Sequence, residues 1–90
     1  MPVFFRYIGY KIYFWSNENN EPIHFHISEG NPSSSSTKVW ILEDNSFLLA
    51  NNNSHIPLPV LRRIFMIMQD NIEDYKKQWE MMHGNIKYYQ

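Results

Sequence analysis

A chain of 90 residues, 43% hydrophobic and 17% aromatic, carries enough apolar side chain for one packed domain, which excludes wholesale disorder. Eight Lys and Arg against nine Asp and Glu leave a net charge of −1, which speaks against a nucleic-acid binder driven by its own charge. The absence of cysteine removes disulfides, thiolate metal sites and thiol nucleophiles, and no apolar run approaches the roughly 18 residues of a membrane span, so a soluble cytoplasmic protein is expected.

The first half reads as strands. Val3 to Ile8 makes one, and Tyr10 to Trp15 another, with Tyr10, Ile12 and Phe14 on one face and Lys11, Tyr13 and Trp15 on the other. Gly9 lies between them. One glycine is short for a hairpin loop, so a bulge or sharp corner is expected there rather than a tight turn. Ser16 to Glu21 is a loop of short polar residues that bond their own backbone, and Pro22 ends it. Ile23-His24-Phe25-His26-Ile27 then alternates strictly, as in a strand with one buried face. Glu29 to Pro32 is a turn cluster, extended by Ser33 to Ser36. Lys38 to Glu43 and Ser46 to Ala50 form a hairpin about Asp44-Asn45, and Asn51 to Ser54 breaks regular structure.

The second half is helical. Pro57 and Pro59 suit a helix start. Leu61, Phe65, Met68, Ile72, Tyr75, Trp79 and Met82 recur in steps of four and three, which makes one apolar stripe. Gly84 supplies the stop, with His83 placed for the negative end of the helix dipole. A single helix from Leu58 to His83 would run about 39 Å, against a radius of gyration of about 12 Å for a domain this size. Asp70 and Glu73 have nearly the spacing of a capping box, so two helices with a break near Asp70-Asn71 are expected. Residues 1–84 form the domain. Residues 85–90 are its C-terminal tail, loose or forming a short strand if Tyr88 and Tyr89 dock. The fold class is α+β: a curved antiparallel sheet of four or five strands with one or two C-terminal helices on one face, covering Ile12, Phe14, Phe25 and Ile41.

His24 and His26 are the most informative pair. Two residues apart on a strand, they leave the same face about 7 Å apart, near enough to meet one metal ion or one phosphate. A divalent ion needs further ligands, and Glu18, Glu21 and His55 are the candidates. Acid–base catalysis is a second reading. The plainest is a pair of structural imidazoles on a solvated or partner-facing side of the sheet. If the first strand packs beside the third, Arg6 joins the histidines in a cluster able to act on a phosphodiester, with His as acid or base and Arg stabilising charge; the plainer alternative pairs Arg6 with a loop glutamate at the surface. Tyr13, Trp15 and Trp40, on faces opposite the core, would present aromatic surface to a small partner protein or a second copy. The Ser33 to Ser36 run lacks any nucleophile-elbow context, the three glycines are scattered singly, and the carboxylates of Glu43-Asp44 and Glu73-Asp74 diverge.

Met1-Pro2-Val3-Phe4-Phe5-Arg6, then Gly9 with an aromatic strand, then Pro22-Ile23-His24-Phe25-His26-Ile27, resembles the bacterial domain of unknown function 4160 family. The likeness continues through Pro59 to Met68 and a late Trp79. Many such members carry an acidic-His pair and a double proline before the H-F-H run, where this chain has Asn19-Asn20 and Pro22-Ile23. The resemblance implies a small cytoplasmic bacterial protein, often encoded beside another small domain in a layout like a toxin–antitoxin pair. The expected function is an interaction or regulatory module of such a two-protein system. The alternatives are a small His-dependent nuclease and a metal-binding domain built on the H-F-H strand. No cofactor is expected apart from that divalent metal.

Overall fold

The structure, a computed structural model, describes residues 2–18 and 20–90. Five strands, β1 (Val3–Tyr7), β2 (Tyr10–Tyr13), β3 (His24–Glu29), β4 (Thr37–Ile41) and β5 (Phe47–Asn51), pair antiparallel in chain order. The helices α1 (Leu58–Asp70) and α2 (Ile72–His83) follow. The domain is thus α+β, as the alternation of the first half and the stripe of the second require. Ile12 lies opposite Ile27, and Phe25 opposite Val39, so these four side chains line one face. They are fully buried with Ile23 and Ile41 beneath Leu61, Ile64, Met68, Ile72, Tyr75 and Trp79. Complete burial of an aliphatic or aromatic side chain contributes about 1.5–3 kcal/mol, so this layer carries most of the stability.

The β1–β2 connection differs from the expected bulge. Ile8 and Gly9 both have positive φ, 42° and 82°, and Tyr7 pairs directly with Tyr10. Two left-handed residues in succession form the tight loop whose twist matches that of the flanking strands. The bulges lie elsewhere, between Val3 and Phe5 in β1 and opposite Lys38 and Val39 where β4 meets β5.

The helical half breaks at Asn71, as the spacing predicts, but without a capping box: α2 starts with no side-chain cap hydrogen bond. Instead the Asn71 amide side chain donates to the Ile67 carbonyl at 2.9 Å and its backbone N–H to Met68 at 3.2 Å, which closes α1. The stripe is rotated slightly from the expected one. Ile64 is fully buried where Phe65 is only partly so, and Met82 is 45% exposed. Residues 85–90 are docked, not loose. Ile23 N–H donates to the Lys87 carbonyl at 2.8 Å, and the Tyr89 ring stacks on Trp40 with centroids 4.7 Å apart.

Candidate metal centre

The second face of β3 is not solvated. His24, His26 and Ser28 are buried together with Phe25 and Ile27, so the strand has two covered sides. The loop after β2 folds back across this outer face and brings Glu18 onto the histidines. The serine run closes the neighbouring side, with the Tyr13 hydroxyl donating to the Ser33 carbonyl at 3.5 Å. Trp79 of α2 reaches His24, the first residue of β3, at a centroid distance of 5.1 Å. The expectation of imidazoles on an open surface is therefore corrected: they project together from the sheet into a covered cluster.

The Glu18 Oε2 atom lies 2.6 Å from His24 Nε2 and 2.9 Å from His26 Nε2. Its other oxygen, Oε1, accepts the Trp15 N–H at 2.7 Å. His24 Nδ1 donates to the Pro22 carbonyl at 2.7 Å, which fixes the ring's orientation. A carbonyl only accepts, so one proton of His24 sits on Nδ1. The short contact from Nε2 to a carboxylate then needs a second proton, making His24 an imidazolium against an ionised Glu18; without that proton the same nitrogen offers a lone pair to a metal. His26 differs. Its Nδ1 is buried with no partner among the described residues, so its single proton is on Nε2, facing Glu18. Metal-bound histidines usually donate their other ring N–H to a fixed acceptor; among the described residues His24 does so and His26 does not.

Burial alone would raise the Glu18 carboxyl. Hydrogen bonds from His24 and His26, the charge of His24 and the Trp15 N–H outweigh it and hold the group well below the ordinary carboxylate range. Burial raises the Tyr75 phenol well above its usual value, and the charge of Glu18 adds to this. Tyr75 therefore stays a donor, and its hydroxyl binds the His24 carbonyl.

Glu18, His24 and His26 offer three ligand atoms all within 4.8 Å of one another. Tetrahedral zinc, with bonds of about 2.0–2.1 Å, spaces its donors about 3.3 Å apart. The proton-sharing separations of 2.6 and 2.9 Å must therefore widen by about 0.4–0.7 Å to admit an ion. Two imidazoles and a carboxylate suit zinc, iron, copper or nickel better than calcium or magnesium.

Of the three suggested extra ligands, only Glu18 converges. Glu21 turns to Lys38 at 2.7 Å, and His55 is exposed beyond β5 with φ 54°. Arg6 does not join the histidines. It lies on β1 opposite Lys11, with β2 between it and β3, and it is exposed. Tyr13 is fully buried, stacked on His26 at 5.3 Å, and so cannot form a docking surface. Trp15 and Trp40 are half-buried, and Trp40 contacts Lys38 Nζ at 4.2 Å as well as Tyr89. The three aromatic corrections share one cause: the loops and the tail cover the face that strand alternation alone leaves open. Of the Asn19-Asn20 pair, Asn19 lies outside the described residues, and Asn20 is exposed.

Sequence reasoning missed Tyr75 and His83 as supports of the cluster. His83 follows Trp79 by four residues on the inward side of α2, and that spacing was the available signal.

A five-stranded antiparallel meander roofed by two helices, with a buried Glu-His-His cluster on its far face, defines a small α+β domain. The family model described as Domain of unknown function (DUF4160) matches residues 9–80, and the chain belongs to that family. The match takes in Glu18, His24, His26, Tyr75 and Trp79, and leaves Arg6 and His83 outside it. No curated protein and no solved structure matches the chain.

Proposed function

We propose that this protein is a metal-binding module that takes one first-row divalent ion, zinc foremost, on Glu18, His24 and His26. The carrying observation is that three donor atoms of the right chemistry lie within 4.8 Å of one another in a buried cluster. Protein ligands supply three positions and leave a fourth for water or a small ligand. The side chains of His24, Glu18 and His26 are 0%, 8% and 10% exposed, so access is narrow and falls on the Glu18–His26 side. That suits a structural or small-ligand role better than action on a bulky substrate. The phosphodiester reading loses its arginine, since β2 separates Arg6 from the histidines.

Metal analysis and calorimetry of tag-free protein test the proposal. One zinc per chain is expected, with affinity lost in Glu18→Gln and His24→Ala; clearly substoichiometric binding by the folded wild-type chain would refute it. A role in a two-protein regulatory system is a second reading, and one observation favours it: Leu48 and Leu49, on the edge strand β5, are 44% and 40% exposed. It moves the contact from Tyr13 to that edge. Co-purification with a protein encoded beside this one, weakened by Leu48→Lys, is its expected sign.

A further inference from the structure

We propose that His83, in the last turn of α2, is a positioning residue that holds the Glu18 carboxylate in place through Trp15. His83 Nε2–H donates to the Trp15 carbonyl at 2.9 Å. The Trp15 N–H in turn donates to Glu18 Oε1 at 2.7 Å, leaving Oε2 to both histidines. The loop that carries Glu18 is thus gripped at Trp15 from one side and completed by Glu18 from the other.

The ring of His83 is built for this use. Its Nδ1 is buried with no partner among the described residues, so the single proton of the neutral ring belongs on Nε2, where the bond needs it. The ring packs on Trp79 at 4.1 Å and on Phe14 at 5.3 Å, and Trp79 itself packs on His24 at 5.1 Å. His83 therefore reaches the cluster twice, by hydrogen bonds to Glu18 through Trp15 and by stacking to His24 through Trp79. A residue serving only to fill the core would need neither the donor nor its aim. The inference concerns the cluster proposed above as a metal centre and relies on that reading only for the ion used as a probe.

The test compares the full chain with His83→Phe, which keeps the ring packing but lacks the donor, and His83→Gln, which keeps an N–H donor. Amide exchange at Trp15 reads the second link, the N–H bond to Glu18 that His83 steadies from the carbonyl side. It should quicken by about tenfold in His83→Phe, the worth of one hydrogen bond, and recover toward wild type in His83→Gln. Zinc affinity, read by chelator competition, should fall about 10–100-fold in His83→Phe, as when a metal ligand loses its outer support, with the same partial rescue. A folded His83→Phe with wild-type Trp15 exchange would overturn the proposal and leave His83 as packing. If the wild-type chain takes no zinc, the metal reading fails and Trp15 exchange alone decides His83. If His83→Phe does not fold, His83→Met against His83→Gln makes the same comparison.

Discussion

Glu18 takes three hydrogen bonds on two oxygens inside the protein, from Trp15, His24 and His26. Its folded carboxyl binds a proton more weakly than the same group in the unfolded chain, whose value is about 4.3. The sign follows: the stabilisation is fully present above that value and is lost progressively as pH falls below it, toward the lowered folded value. Urea midpoints should drop progressively as pH falls below about 4.3, and Glu18→Gln should flatten this drop while lowering stability at pH 7. At Tyr75 the expected effect is a plain loss. Tyr75→Phe leaves the His24 carbonyl without its side-chain donor in a buried place, which costs about 1–3 kcal/mol, read as a lower unfolding midpoint with an unchanged slope.

At the scale of elements, strand β3 explains both what could be read in advance and what could not. Its alternation announces two classes of side chain, and the structure sorts them as expected, isoleucine and phenylalanine toward the helices and histidine away. What alternation cannot state is whether the polar side faces water, because that depends on loops whose paths follow no period. The helix break at Asn71 was legible from length, since one rod would overrun the domain, and from the Asp70–Glu73 spacing, although no capping box forms there. The Ile8-Gly9 turn was not, because isoleucine is among the residues least suited to a left-handed backbone. Ile8 is 79% exposed at φ 42°, so strain there is not offset by burial. Ile8→Asn, which tolerates that conformation, should raise stability by about 1 kcal/mol; thermal unfolding would check it, and a drop would mean that Ile8 contributes a contact outweighing the strain.

Taken whole, the molecule has a radius of gyration of 11.9 Å, and its tail is part of the packing. Tyr89 covers Trp40, and Lys87 supplies the carbonyl that receives the Ile23 N–H. Removing residues 85–90 should therefore shift tryptophan emission to the red and lower the melting temperature; unchanged emission would mean that Trp40 does not depend on the tail. The same reach across the chain sets an order of assembly. Each strand hydrogen-bonds its neighbour in sequence, so the sheet closes through short loops. The contact from His83 to Trp15 spans 68 residues. During synthesis the meander can zip up behind the ribosome while the loop carrying Glu18 still waits for its distant clasp, so the surroundings of Glu18 are the last part of the protein to mature.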